Sequence, residues 1–193
     1  MASITPTHAA LGGISRVLVF ALAIFCSAMA IPDQNILKAA ENEAAAEYDV
    51  KAAFLLNFTR FVEWPQLPPE RASSSFSICI LGDDPFGEAL SRIVAGETVA
   101  GRPLVIKRIQ RWPDACEVLY IPASHTSPAA VLAEVGQHVL TVGESSDFLR
   151  HGGMIRFVLE NRRVRFDIDL RSVDRSGLKM SSRLLGVART VIK

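Results

Sequence analysis

"FSICILGDDPFGEALSRIVAG", residues 76–96, contains two kinds of local structure in one short stretch. Its first half, residues 76–82, is a short apolar run of the kind that forms a buried β-strand. The second half has helical spacing, with Asp84 placed to cap the helix and Pro85 in its first turn. A buried strand followed directly by a helix is the repeating unit of an α/β sheet. The stretch therefore predicts an α/β fold.

The same alternation continues towards residue 150. Apolar runs predict strands at 102–109, 116–122 and 138–144, and a helix at 127–137 separates the last two. Strands separated by helices of about ten residues are typical of right-handed βαβ units on a parallel sheet.

The pattern changes at residues 154–170, where apolar and polar residues alternate strictly on both sides of Asn161 and Arg162. A two-residue turn there aligns Glu160 with Arg163 and Arg156 with Asp167, so that both facing pairs have opposite charge. We therefore predict an antiparallel hairpin. Residues 181–192 predict a final helix, capped by Ser181 or Ser182. The expected architecture has three layers, with a mainly parallel sheet flanked by helices, the C-terminal hairpin and this last helix.

Residues 47–65, "EYDVKAAFLLNFTRFVEWP", predict one amphipathic helix that ends at Pro65. Helical phase puts Leu56 on its polar side, together with Asp49 and Arg60. If this side is a contact surface, Leu56→Glu should weaken association with a partner or a second copy without lowering the melting temperature.

Lys51 lies within the apolar side of this helix. The ordinary explanation, which we favour at this stage, is that its stem lies on apolar neighbours while the ammonium reaches water or a carboxylate. Two functional explanations stay open, a buried ion pair that fixes the helix to the sheet and a charge that faces a ligand.

Residues 1–30 have the layout of a secretory signal peptide, with Arg16 before an apolar segment and a small-x-small site that ends at Ala30. We expect cleavage after Ala30. An uncleaved anchor and a lipoprotein signal at Cys26 are the alternatives, and bulky Phe25 argues against the second. Residues 31–46 then form a flexible lead-in, and residues 47–193 a single domain.

The mature chain carries equal numbers of acidic and basic residues, since Arg16 leaves with the signal peptide. This balance argues against a nucleic-acid-binding protein. Residues 151–193 nevertheless hold ten basic residues against four acidic ones, whereas residues 31–150 hold ten against sixteen. Two differently charged, solvated faces of one domain are the simplest interpretation.

The sequence contains no recognisable catalytic set. Its mature histidines, His125, His138 and His151, are separated along the chain, so no zinc site and no other metal site is predicted. A nucleophile elbow and a phosphate-binding glycine loop are absent, so no catalytic residue and no cofactor is predicted. Asp83 and Asp84 follow a strand, where α/β sheets bind ligands, and they suit a cation or a ligand hydroxyl; a turn and a helix cap are the favoured roles.

Two cysteines, Cys79 and Cys116, remain after removal of the signal peptide, and an even count in an exported chain allows pairing. Cys79 falls in the first predicted strand and Cys116 at the start of the third. Those strands can be neighbours in a doubly wound sheet, which brings the cysteines within reach of each other. We expect this disulfide to form and to stabilise the fold.

Five stretches of the sequence, in their order along the chain, resemble the YfiR family of exported proteins. The first begins at residue 47 and the last ends at residue 189. They are EYDVKAAFLLNFTRFVEWP, FSICILGDDPFG, GRPLVIKRI, GGMIRFVLENRRVRFDIDL and RSGLKMSSRLLGVAR. The resemblance implies a periplasmic regulator that binds the sensor portion of an inner-membrane diguanylate cyclase and represses it. Cyclic di-GMP, exopolysaccharide and biofilm formation then stay low. It also implies a sheet layered with helices and a homodimer.

The resemblance matches Cys79 and Cys116 to one cysteine pair of the family. The type member has a second pair near the hairpin, and this chain has no cysteine after Cys116.

Because the sequence contains no recognisable catalytic set, a non-catalytic inhibitory partner of a membrane signalling protein is the leading functional hypothesis. The alternatives are a periplasmic small-molecule sensor, which holds an anion near Asp83, Asp84 and the basic C-terminal third, and, least favoured, an enzyme.

Overall fold

A computed structural model describes residues 34–65, 75–112 and 115–193. Contacts divide the chain into residues 1–40 and 41–193. Of the first unit, residues 34–40 are described, and they are helical. The predicted signal peptide lies outside the described residues. Within the described residues, no helix has both the length and the apolar character needed to span a bilayer.

The described residues form five helices and ten strands, and all ten strands lie in the second unit. The helices are α1 (Gln34–Phe61), α2 (Glu88–Val94), α3 (Pro128–Glu134), α4 (Leu170–Arg175) and α5 (Ser182–Val187). The strands are β1 (Val62–Glu63), β2 (Phe76–Leu81), β3 (Thr98–Val99), β4 (Arg102–Ile109), β5 (Val118–Ile121), β6 (Leu140–Gly143), β7 (Ile155–Glu160), β8 (Arg163–Asp169), β9 (Lys179–Met180) and β10 (Thr190–Ile192).

Eight strands form one sheet in the order β10-β8-β7-β6-β5-β2-β4-β3, and β1 pairs with β9 in a separate antiparallel ladder. The five strands from β7 to β4 run parallel, β8 is antiparallel to β7, and β10 is parallel to β8. The predicted α/β class, with a mainly parallel sheet and an appended hairpin, is confirmed.

Both faces of the central strands are buried, because side chains alternate between the two sides of a sheet. In β2, Phe76, Ile78 and Ile80 belong to the larger core cluster, which includes residues of α1 and α2. Cys79 and Leu81 belong to a second cluster, against which side chains of α3 pack. The sheet is therefore the middle of three layers.

The predicted hairpin register is confirmed. Arg156 faces Asp167 and Glu160 faces Arg163. Asn161 and Arg162 have φ angles of 49° and 59°. Positive φ at both central residues is the mark of the type I′ turn, whose twist matches that of the strands it joins.

Helix α1 is longer at its start and shorter at its end than predicted. It begins at Gln34, because the Ala- and Glu-rich segment predicted as a flexible lead-in consists of good helix formers. It ends at Phe61, before Pro65, because Val62 and Glu63 leave the helix to pair with Met180 and Lys179.

The predicted position of Leu56 was wrong. Leu56 is only 8% exposed and belongs to the larger core cluster. Between Glu47 and Phe61, the exposed residues of α1 form a narrow stripe of Asp49, Val50, Ala53 and Arg60. Leu56→Glu would therefore disturb packing, and it is not a suitable test of a contact surface.

Two details of the other helices also differ. Helix α2 begins at Glu88, and Asp84 is not its cap, because its Oδ1 accepts the hydrogen bond of the Phe86 amide at 2.8 Å in a turn. Ser181 does cap α5, with Oγ accepting from the Leu184 amide at 3.3 Å. The predicted final helix stops at Val187, since the following residues form β10.

The ring of Phe148 lies between two glycines. Phe148 is fully buried in the second core cluster. A Cβ atom on Gly143, the last residue of β6, would overlap one side of the ring, and a Cβ on Gly153 would overlap the other. Protein interiors are packed too closely for either overlap to be relieved without displacing Phe148.

Cys79 and Cys116 form the predicted disulfide, with a Cα–Cα distance of 6.0 Å. Cys79 is in β2, and Cys116 lies two residues before the start of β5, the neighbouring parallel strand. Both residues are fully buried.

Breaking this bridge is expected to lower the free energy of unfolding by about 3–4 kcal/mol, because it closes a long loop in the unfolded chain. Urea unfolding of the oxidised protein, with and without a reductant, measures the loss. The variant Cys79→Ser/Cys116→Ser is the control and should be unaffected by the reductant. Equal midpoints for oxidised and fully reduced protein would contradict the expectation.

Candidate functional site

Lys51 lies at the junction between α1 and the carboxyl end of β6. Its side chain is 4% exposed, and Nζ is 3.0 Å from Oε1 of Glu144, the residue that follows β6. Nζ also forms an ion pair with Glu47, one helical turn earlier. The ammonium therefore connects the first helix to the sheet through a residue 93 positions away in sequence.

Two tyrosines complete this group. The Tyr48 hydroxyl donates to Oε2 of Glu144 at 3.4 Å, and the Tyr120 hydroxyl donates to Oε1. Lys51 Nζ also lies 4.2 Å from the centroid of the Tyr48 ring, within range of a cation–π contact. We call these five residues, Glu47, Tyr48, Lys51, Tyr120 and Glu144, the Lys51 network.

The network keeps Lys51 charged and Tyr120 neutral at neutral pH. Burial acts to lower the pKa of Lys51, but the hydrogen bond to Glu47 and the charge of Glu144 outweigh it, and the pKa is raised. Burial is the main cause of the raised pKa of Tyr120, and the charge of Glu144 adds to it. A protonated lysine and a neutral tyrosine are poor bases, so this arrangement suits attachment of a helix better than proton transfer.

The structure therefore decides between the explanations given for Lys51. The explanation that we favoured allowed the ammonium to reach water or a carboxylate, and it does reach the carboxylates of Glu47 and Glu144, with only 4% of the Lys51 side chain exposed. The buried ion pair that fixes α1 to the sheet, which we had kept as an alternative, is what the structure contains.

Asp83 and Asp84 lie at the carboxyl end of β2, next to the position where the chain order of the sheet reverses. This edge is the usual ligand site of doubly wound sheets. Asp84 forms an ion pair with Arg108, in which the distance from Arg108 Nε to Asp84 Oδ2 is 2.7 Å. Asp83 is exposed. The ring of Phe86 follows them and packs against Tyr48 and Tyr120, with centroid distances of 5.5 and 4.7 Å. The two aspartates thus lie near the Lys51 network without joining it.

A second buried ion pair, which we did not predict, lies at the amino ends of the central strands. Glu117 is 2% exposed, and its Oε1 accepts from Arg102 Nη2 at 2.7 Å. Its Oε2 accepts from the amide and the hydroxyl of Ser77 at 2.7 and 2.9 Å. Although burial alone would raise the pKa of Glu117, these hydrogen bonds from Arg102 and Ser77 lower it.

The hairpin carries a third group of charges. Asp167 accepts hydrogen bonds from Arg156 and Arg189, both with a shortest contact of 2.7 Å, so the predicted pair of Arg156 and Asp167 is present. Glu160 faces Arg163 in the register, and its carboxylate contacts Arg189 at 3.3 Å. Burial would raise the pKa of Asp167, but the two guanidinium groups lower it.

Within the residues that the structure describes, no group of three or more histidine, cysteine, aspartate or glutamate side chains is arranged to hold a metal ion. The buried charges described above pair with one another and join neighbouring elements. They define an α/β domain whose interior ionic groups join its secondary-structure elements.

The YfiR/HmsC-like family model matches residues 48–189, which is most of the chain, and the protein belongs to this family. One similar solved structure is a conserved domain protein from Vibrio cholerae O1 biovar El Tor strain N16961, with a TM-score of 0.50 and 10% sequence identity. The similarity covers 75% of this chain, which spans 60% of the Vibrio chain, and it concerns the fold alone. A comparison with curated proteins finds no match.

Family membership confirms the resemblance seen in the sequence. The family is regulatory rather than catalytic, which agrees with the structural use of the buried charges in this chain.

Proposed function

We propose that this protein is a periplasmic, non-catalytic regulator that binds and represses an inner-membrane signalling protein. The expected partner is a diguanylate cyclase, whose repression lowers cyclic di-GMP and biofilm formation. The observation that carries the proposal is the family match over residues 48–189. A regulator in the periplasm has no access to cytoplasmic cyclic di-GMP, so it must act through a protein that crosses the inner membrane.

The chemistry of the domain supports binding over turnover. Lys51, Arg102 and Asp167, the centres of the three charge groups, are each satisfied by partners within the chain. A regulator of this kind acts in proportion to its occupancy of the partner, and a homodimer is the form in which we expect it to act.

Deleting the gene is expected to raise cyclic di-GMP and surface attachment, because the cyclase loses its inhibitor. Cyclic di-GMP is quantified by mass spectrometry, and attachment by staining of adherent cells. The full chain should restore both, whereas a chain without residues 2–30 should restore neither, because it would fold on the wrong side of the membrane.

Two further outcomes would revise the proposal. If deletion leaves cyclic di-GMP unchanged, and capture from solubilised inner membrane recovers a histidine kinase or a transporter, the cyclase is the wrong partner. If the chain without residues 2–30 complements fully, the periplasmic site of action is wrong.

One observation favours the alternative, a small-molecule binding module. A cavity of about 580 Å³ lies among described residues that include Thr59, Trp64, Phe76 and Arg102. Trp64 lines this cavity, and its indole N–H is buried without a hydrogen-bond partner in the described part of the protein. A thermal-shift screen with nucleotides, amino acids and cell-wall fragments tests this alternative, and Trp64→Phe, which removes the N–H, is the matched variant.

A further inference from the structure

The outward face of the β7–β8 hairpin is polar and rich in arginine. The side chains of Arg163, Arg165 and Asp167 lie on the side of β8 opposite to its core residues, since neighbours along a strand alternate. Arg156 and Arg189 lie beside Asp167 and are bound to it. We call this surface, made of Arg156, Glu160, Arg163, Arg165, Asp167 and Arg189, the arginine face.

Two of its arginines are not neutralised within the part of the chain that the structure describes. Arg163 and Arg165 are exposed, and no described carboxylate forms an ion pair with either. Arg163 faces Glu160 in the register, but the Glu160 carboxylate contacts Arg189, and Arg165 faces Val158. A depression of about 460 Å³ is lined by Arg163 and Arg165 together with Glu160 and Asn161. The face therefore presents two available cations beside a concave surface.

The strand that carries these arginines also has an open edge. Strand β10 pairs with residues 167–169 of β8, and the Phe166 carbonyl accepts from the Arg189 amide at 2.8 Å. No described strand pairs with residues 163–165 on that side. Because backbone groups alternate in direction along a strand, those of Val164 point the same way as the Phe166 carbonyl. An extended segment can add there as a further strand.

We propose that the arginine face and the adjacent edge of β8 form a docking surface for an extended acidic segment of the membrane partner. The inference rests on the proposed function, because it names the surface by which that partner is held. In an added strand, every second side chain points to the arginine face, so alternating carboxylates would meet Arg163 and Arg165.

A polypeptide fits this surface better than an anionic lipid surface does. Asp167 and Glu160 lie among the arginines and would repel a continuous layer of phosphate groups. A peptide strand can place neutral or basic side chains over these two carboxylates and acidic ones over Arg163 and Arg165. Charge complementarity of this kind sets partner choice and association rate.

The test uses the variant Arg163→Gln/Arg165→Glu and a fluorescent peptide in which glutamate alternates with threonine. Fluorescence anisotropy should show that wild-type protein binds the peptide and that the variant binds at least about tenfold more weakly. Salt should weaken wild-type binding more than variant binding. Arg111→Gln/Arg183→Glu is the control, because it makes the same change in charge at two other exposed arginines and should keep wild-type affinity.

Equal peptide binding by the two variants, or no binding by wild type, would overturn the proposal. Binding of phosphatidylglycerol vesicles through Arg163 and Arg165, without peptide binding, would replace the polypeptide by a lipid surface.

Complementation separates this inference from the proposed function. If wild type restores low cyclic di-GMP and the arginine variant does so equally, the docking surface is wrong and the function stands. If wild type fails to complement, the function is wrong, and the peptide measurement still decides the binding property of the surface.

Discussion

Replacing Lys51 by methionine is expected to lower the free energy of unfolding by about 3–5 kcal/mol. Methionine fills much of the same space, but it leaves Glu144 in the interior without its cation, and Glu144 is only 11% exposed. An uncompensated buried charge costs far more than the loss of a surface ion pair. Denaturant unfolding at neutral pH, followed by circular dichroism, measures the change.

Lys38→Met is the matched control, because Lys38 is exposed on the same helix. It should change the free energy of unfolding by less than about 0.5 kcal/mol. Adding Glu144→Gln to Lys51→Met removes the stranded charge and should recover part of the loss, which a double-mutant cycle quantifies. If Lys51→Met were as stable as the control, the ion pair would not fix α1 to the sheet.

The pKa of Lys51 gives this prediction a pH dependence. The pKa is raised in the folded protein, so the ion pair contributes its stability below the unfolded pKa of about 10.4 and loses it as the pH rises through the folded value. The difference between wild type and Lys51→Met should therefore be full at neutral pH and narrow under strongly alkaline conditions.

Replacing Arg102 by methionine is expected to cost a similar amount, about 3–5 kcal/mol, because Glu117 is even less exposed than Glu144. Arg102 also donates to the Ser75 carbonyl at 2.7 Å, so its removal takes this hydrogen bond as well as the one to Glu117 from the same junction. Arg92→Met is the comparison. Arg92 and its partner Asp49 are largely exposed, and breaking that pair should cost no more than about 1 kcal/mol.

Acid should reduce the effect of Arg102→Met. The pKa of Glu117 is lowered in the folded protein, so its contribution is present above the unfolded pKa of about 4.3 and is lost as the pH falls through the folded value. Arg102 is a main cause of that lowering. Unfolding midpoints of wild type and variant should therefore differ most near neutral pH and converge under acid conditions. A difference that grows with acidity would contradict this assignment.

The hairpin shows what local pattern can predict. Its register followed from strict alternation and a two-residue turn, because a shift of one residue would have reversed every side chain between core and solvent. Neighbouring strand positions for Cys79 and Cys116 followed from the usual order of a doubly wound sheet. Both predictions depend on short-range patterns or on topology that many proteins share, and both are confirmed.

The buried ion pairs show what local pattern cannot predict. Lys51 was identifiable as unusual, but its partner Glu144 is distant in sequence, and nothing near either residue connects the two. Leu56 was misplaced because a helical projection assumes one buried side, whereas the part of α1 from Glu47 to Phe61 is covered over most of its circumference. Glu117 offered the clearest missed indication, since it is a charged residue in an apolar run, residues 116–122, that was predicted to be a strand.

Phe148 and the two glycines on either side of its ring also limit how this sequence can diverge. Gly143 ends a strand and Gly153 precedes the next one, and any larger residue at either position would need the space that the ring now fills. A substitution at Gly143 is compatible with this core only if residue 148 becomes smaller at the same time. In an alignment of relatives, the columns of Gly143 and Phe148 should therefore vary together, and a relative with alanine at position 143 should lack an aromatic ring at position 148. Gly153 should stay glycine, because a Cβ atom there would also lie 2.8 Å from the backbone carbonyl oxygen of Phe148.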